Sequence, residues 1–239
     1  MHLIRLKMSD EFKNRTAVQR ESWVNAWLAS HLMPVFAQMN QTMVHYVGVD
    51  FGRVSDLSVF WFLRQNQDLS LTTSLVLELR NIPFEQQRQL LFYAVDHIPR
   101  FMAGAMDATG NGAYLAEVAA QRYGASRIAE IKLSQNWYLE NMPKLVAYIE
   151  DGNIAIPQDA DILSDLRALQ KVNGIIQVPK EARAKSSDGG KRHGDAAIAL
   201  ALGIFAVKTM NSPIEFLAIP KRHDFDDFND DVSYDQGCY

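Results

Sequence analysis

The amino-acid sequence predicts a mixed α/β fold: an antiparallel three-strand meander followed by alternating strands and helices. Three observations predict it. Apolar, β-rich runs at 44–49, 58–63 and 69–79 are joined by connections too short for a crossover helix, which makes them antiparallel neighbours. From Pro83 onward extended and helical patterns alternate, so the later strands are expected to lie parallel, with helices covering the sheet. The longest apolar run, residues 196–207, falls short of the roughly 18 residues a membrane span needs and reads as a buried helix.

Each element follows in order. Val44-His45-Tyr46-Val47-Gly48-Val49 is a buried strand that ends in Asp50. Residues 58–63 and 69–79 are the second and third strands. Pro83 opens a helix over 84–97, because its fixed φ suits a first helical turn. Residues 101–106 form a fourth strand, again ending in an acid, Asp107. Gly110 and Gly112 lead into a helix over 113–123, and 128–133 is a fifth strand. A helix from about 137 to 150 stops at Asp151-Gly152-Asn153. Short strands at 154–156 and 175–178 flank a helix near 159–170, and a last helix starts near Asp195.

This domain occupies residues 43–210. Residues 1–42 read as a helical arm or linker, from the spacing of Trp23, Trp27, Leu28 and Leu32, with Pro34 kinking or ending the helix. Residues 211–239 contain Pro213 and Pro220 and read as an extended C-terminal extension with an acidic tail.

Composition narrows the function classes. Of 239 residues, 48% are apolar and 22% charged, as in an ordinary soluble globular protein. The single cysteine, Cys238, excludes an intrachain disulfide and points to a reducing compartment. The net charge of −4 hides an asymmetry. Six aspartates and no Lys or Arg fall in 223–239, leaving 22 acids against 24 Lys and Arg in the rest. A slightly basic body leaves a polyanion partner open.

The acids at element ends carry the chemistry. Asp50 and Asp107 each close a core strand, at the edge where open α/β sheets place their sites. Asp195 opens the apolar last helix, and Asp56 sits in the turn before the second strand. A lone aspartate at a strand end is more often a turn former or helix cap, and Asp195 by itself is well explained as an N-cap. Three acids that each close or open a core element favour a shared site. Neighbouring carboxylates repel, and a divalent cation is the usual resolution. A carboxylate set without a Cys or His cluster favours Mg²⁺ or Mn²⁺ over Zn²⁺. Two such ions suit phosphodiester hydrolysis.

The surrounding residues have two readings each. The segment 180–192 carries Lys180, Arg183, Lys185, Lys191 and Arg192, with serines and glycines that make it mobile. It is either a phosphate-contacting loop or a solvated one. His193 orients a water or phosphate, or is an exposed loop histidine. Arg53 binds phosphate or pairs with Asp56. Gly110-Asn111-Gly112 permits phosphate approach at a helix start, or makes a plain tight turn. Trp137 and Tyr138 begin a helix and are either core residues or base-stacking platforms.

Taken in order, Val47-Gly48-Val49-Asp50-Phe51-Gly52-Arg53 with Asp56, then Met106-Asp107-Ala108-Thr109-Gly110-Asn111-Gly112, then His193-Gly194-Asp195-Ala196-Ala197-Ile198-Ala199-Leu200, resemble the nuclease domain of tailed-phage large terminase subunits. The nearest pattern is the Mu-like phage and prophage branch. The resemblance covers about residues 43–210. It implies an RNase H-like α/β fold, a mixed sheet of antiparallel meander plus parallel strands with helices on both faces. It further implies a Mg²⁺- or Mn²⁺-dependent endonuclease, with a two-metal site, that cuts double-stranded phage DNA during genome packaging in the bacterial host cytoplasm. Asp50, Asp107 and Asp195 would be metal ligands, Asp56 an auxiliary acid, and His193 a further candidate at the catalytic centre. Arg53, Lys185, Lys191 and Arg192 are the candidate DNA contacts. Portal, small terminase subunit and a motor ATPase domain are the implied partners. The sequence contains no Gly-x-x-x-x-Gly-Lys-Ser/Thr motif, so a motor is not expected within this chain. A Holliday-junction or RNA–DNA hybrid nuclease of the same fold, and a catalytically idle packaging module, are the alternatives.

Overall fold

The computed structural model describes residues 1–52, 57–110, 112–179, 184–187 and 189–210, with the side chains of 184 and 185 excepted. The expectations for Arg53, Asp56, Asn111, the side chain of Lys185 and the acidic tail lie outside the described residues.

The chain begins with β1 (His2–Lys7), a short helix α1 (Asp10–Lys13), α2 (Ala17–His31) and α3 (Met33–Ala37). A capping box between Thr16 and Gln19 starts α2, and Pro34 sits in the first turn of α3, so the first helix ends where the proline predicts. The meander is β2 (Val44–Asp50), β3 (Leu57–Gln65) and β4 (Leu71–Arg80). After it come α4 (Phe84–His97), β5 (Phe101–Asp107), α5 (Gly112–Tyr123), β6 (Ile128–Ile131) and α6 (Gln135–Glu150). The remaining elements are β7 (Ile154–Ala155), α7 (Ala160–Arg167), β8 (Gln170–Val172), β9 (Ile175–Gln177), β10 (Ala184–Lys185), β11 (Lys191–Arg192) and α8 (Asp195–Thr209).

Seven strands form one sheet in the order β1-β4-β3-β2-β5-β6, with β7 also pairing β4. β2, β3 and β4 are antiparallel, whereas β5 and β6 continue from β2 in parallel. The first strand corrects the expectation of a helical arm. His2–Lys7 runs parallel to the second half of β4, and β7 takes the first half of the same edge. Its six residues are too few to show a period beside the strong helical spacing that follows.

Alternation divides the core into two layers. Val47, Val49, Phe60, Phe62, Leu75 and Leu77 face the layer built with α2, α4 and α5. Tyr46, Val59, Trp61, Leu63 and Val76 face α6 and α8 on the other side. Twelve of the fifteen residues of α8 are buried, as its nearly continuous apolar sequence requires. Among the described residues no helix is long and apolar enough to cross a membrane.

The close contact of α8 with β2 depends on Gly48. A Cβ on Gly48 would stand 2.0 Å from the Ala199 carbonyl oxygen and 2.2 Å from the Gly203 amide nitrogen. The helix therefore lies directly on the strand, with no side chain between them at this point.

Candidate metal centre

The register brings the acids together. Val49 pairs with Met106 across the parallel β2–β5 ladder, and Gly48 with Ala105. One residue further, Asp50 and Asp107 are therefore side by side at the carboxyl edge. Neighbouring strands lie about 4.8 Å apart. Both acids are two residues beyond a partner facing α8, Gly48 and Ala105, so both project on the α8 side.

Asp195 reaches the same place from above. Ala199 lies over Gly48. Stepping back one helical turn, about 6 Å, arrives at Asp195. Stepping forward two strand residues, about 6.6 Å, arrives at Asp50. The helix start and the strand end thus meet.

The electrostatics register this meeting. Burial, and then the charges of Asp195, Asp107 and Asp165, push the Asp50 carboxyl well above the usual carboxylate range. Burial also raises Asp107, against hydrogen bonding by Thr109. Asp195 is pushed up to about 6, chiefly by burial, with the backbone amide of His193 opposing and Asp165 adding to the shift. Among the described residues none of the three carboxylates is matched by a lysine or arginine in a salt bridge. Among them, too, no group of three or more His, Cys, Asp or Glu side chains stands close enough together to hold a metal ion. The arrangement is an acidic cluster whose carboxyls are raised by burial and by one another, with His193 and Arg192 only partly offsetting this at Asp195. Its donor chemistry, all carboxylate oxygen, fits Mg²⁺ or Mn²⁺.

Local contacts hold each acid. Asp107 Oδ1 accepts from the Thr109 amide at 2.8 Å. Gly112 lets α5 start against this turn, because a Cβ there would stand 2.4 Å from the Asp107 carbonyl oxygen. Beyond Asp50, the Gly52 amide donates to Ser58 Oγ at 3.0 Å, and Ser58 donates to Gln87 Oε1 at 2.8 Å, tying the exit of β2 to α4. Asp195 is the first residue of its helix, not the N-cap. Gly194 takes the cap position with φ of 81°, and Asp195 Oδ2 accepts from the His193 amide at 3.1 Å. The His193 backbone amide thus orients the acid.

The basic segment differs from expectation. Among its described residues, β10 and β11 form a two-stranded ladder. Asp161 anchors the connection, accepting from Ser186 Oγ at 3.0 Å and Ser187 Oγ at 2.6 Å. Lys191 is exposed, as a phosphate contact requires. Arg192 is not at the surface. Only 1% of its side chain is exposed, and it pairs with Glu78 at 2.7 Å and Asp165 at 2.8 Å. In place of the expected DNA contact Arg192 forms a buried ion pair, because Glu78 and Asp165 are carboxylates inside the fold and a buried charge needs a hydrogen-bonded partner.

Two residues near the cluster went unassigned in the sequence. Tyr138, half-buried on α6, has its phenol pKa raised by burial and by the charges of Asp50 and Asp107. Asp165, buried on α7, acts on both Asp50 and Asp195. Glu78 and Arg80, inside the apolar run 75–79 and at its end, were the available signal that β4 must find buried partners.

The raised carboxyls set a pH dependence. A folded-state pKa above the ordinary 3.8 means that the fold binds more protons than the unfolded chain between the two values. Asp195 thus makes the chelated protein lose stability as pH rises from about 4 to about 6. Thermal melts in chelator should show a larger acid-side advantage for wild type than for Asp195→Asn. Equal slopes for the two proteins would contradict the burial of a charged Asp195.

The fold, a mixed sheet with acids at its carboxyl edge, is similar to that of solved nuclease domains of phage large terminases. The large terminase nuclease of thermophilic phage G20c, crystallised with bound magnesium, matches with a TM-score of 0.51 and 20% identity, over 69% of this chain and 82% of that chain. By sequence the chain is similar to proteins of phage Mu and a Mu-like prophage. It is 37% identical over 244 residues to the probable terminase, large subunit gp28, of Escherichia phage Mu, covering 98% of this chain and 44% of that protein. It is 36% identical over 233 residues to the Mu-like prophage FluMu protein gp28 of Haemophilus influenzae, covering 94% and 45%. The chain thus spans less than half the length of these curated relatives. No family model matches it.

Proposed function

We propose that this chain carries a metal-dependent endonuclease that cuts double-stranded DNA during phage genome packaging in the host cytoplasm. The observation that carries the proposal is the β2–β5 register, which sets Asp50 beside Asp107 one residue past the Val49–Met106 pair, with the charge of Asp195 acting on Asp50. Asp50, Asp107 and Asp195 would hold Mg²⁺ or Mn²⁺. Bound in pairs, such ions supply an activated water and stabilise the leaving oxygen of the cleaved phosphodiester.

The protein's own groups account for the rest. The Thr109 and His193 amides fix the Asp107 and Asp195 carboxylates before DNA arrives. Fixed donors at the site avoid reorganisation during the reaction. Lys191, with Arg53 and Lys185, supplies sequence-independent attraction for the phosphate backbone. Asp56 and the His193 side chain are proposed as auxiliary groups beside the cluster. The similarity to Mu-type large subunits supports action together with a motor ATPase, the portal and the small terminase subunit.

The test is conversion of supercoiled plasmid to nicked or linear DNA by the purified chain. Mn²⁺ or Mg²⁺ should permit cutting, and chelator should abolish it. Asp107→Ala should cut no better than the chelated wild type. Metal-independent cutting, or undiminished cutting by Asp107→Ala, would contradict the assignment. Four-way junction and RNA–DNA hybrid competitors separate the duplex assignment from the alternatives of the same fold.

A further inference from the structure

We propose that the buried Asp165–Arg192 pair positions Asp195, clamping the strand–turn–helix segment that carries it; this rests on the nuclease reading of the Asp195 site. The pair is a fork. Arg192 Nε donates to Asp165 Oδ1 at 3.1 Å and Nη2 to Oδ2 at 2.8 Å, and each side chain is only 1% exposed. Asp165 Oδ2 also accepts from the Ala196 amide at 3.0 Å. One carboxylate on α7 therefore grips the chain on both sides of Asp195, three residues before it and one after.

The grip extends across the sheet. Arg192 Nη2 donates to Glu78 Oε1 at 2.7 Å, and Arg5 Nε on β1 donates to Glu78 Oε2 at 2.7 Å. Between the two gripped positions lies Gly194, in the left-handed region, where a Cβ would stand 2.4 Å from Val178 Cγ2. A turn this constrained transmits a shift of Arg192 or Ala196 to Asp195.

Stability alone does not require such a pair. A buried ion pair can often be exchanged for apolar residues of similar volume without loss, whereas removing one partner is costly. The fork's geometric consequence falls on Asp195, which places Asp165 and Arg192 outside the reacting groups and makes them positioning residues.

The experiment uses the full chain and two variants. Asp165→Leu/Arg192→Met removes both charges, and Arg192→Lys keeps the charge but loses the fork. Amide exchange at Ala196 is followed in chelator by NMR. Melting temperature, and plasmid nicking with Mn²⁺ at varied DNA concentration, are measured beside it. For the double variant we expect melting within about 4 °C of wild type, faster exchange at Ala196, and kcat lower by about 10²-fold with KM for DNA little changed. Arg192→Lys should change in the same direction and takes over the test if the double variant does not fold. Wild-type exchange and wild-type kcat in a folded variant would overturn the proposal. If the wild type itself fails to nick, the nuclease reading falls separately. The clamp is then decided by exchange at Ala196: lost protection upholds it, and retained protection overturns it.

Discussion

Asp50→Asn is expected to lower Mn²⁺-dependent nicking by about 10³-fold while making the metal-free protein more stable. The two effects share one cause. Asp50 stands beside Asp107 and Asp195 in a desolvated edge, and its carboxyl is held well above the usual range. At neutral pH its ionisation costs the fold free energy that a neutral amide of the same shape does not. The gain should appear as a higher melting temperature for Asp50→Asn than for wild type in chelator. The same charge is what would make the edge attractive to a divalent cation. Its removal forfeits several kcal/mol of transition-state stabilisation, hence the expected loss of rate. Melting curves with and without Mn²⁺ check both arms. Wild type should gain stability on adding the ion, and Asp50→Asn should gain little. A variant that is less stable than wild type in chelator and still nicks would contradict the account.

Gly48→Ala is expected to destabilise the fold by about 3 kcal/mol or more. The new methyl group would overlap the backbone of α8, 2.0 Å from the Ala199 oxygen and 2.2 Å from the Gly203 nitrogen. No side-chain rotation relieves a clash with backbone. Helix and strand must separate, and α8 carries Asp195 away from Asp50 as they do. Activity should therefore be lost even in whatever fraction stays folded. Gly203→Ala is the control across the same contact. Its Cβ would meet Leu63 Cδ1 at 3.0 Å and the Gly48 nitrogen at 3.4 Å. A leucine methyl can give way, and alanine gains up to about 1 kcal/mol of helix propensity. Urea titration of both variants should rank Gly48→Ala far below Gly203→Ala. Equal stabilities would show that the close approach of α8 is not needed.

Much of this arrangement is legible in the sequence, for physical reasons that differ by element. The meander is readable because buried strands need unbroken apolar runs, and Pro83 marks the start of α4. Asp50 and Asp107 are readable because an acid ending such a run has no packing purpose. Asp195 is readable as important, though not as the first helical residue behind a left-handed Gly194. What escaped detection depends on contacts distant in the chain. β1 is an edge strand whose place is set by pairing with β4, and nothing within six residues reveals that. Arg192 reads as one basic residue among several in a loop, and only the fold brings Glu78 and Asp165 to it from 114 and 27 residues away. Asp161 and Asp165, four apart on α7, look like a solvated helix face. Their burial comes with the contacts of Ser186 and Ser187 to Asp161 and of Arg192 and the Ala196 amide to Asp165.

If three carboxylates far apart in the chain share one cation site, anomalous diffraction from a Mn²⁺-soaked crystal should show density bounded by Asp50, Asp107 and Asp195, absent in crystals of Asp50→Asn. Density confined to other residues, with these three carboxylates turned to separate protein partners, would contradict it.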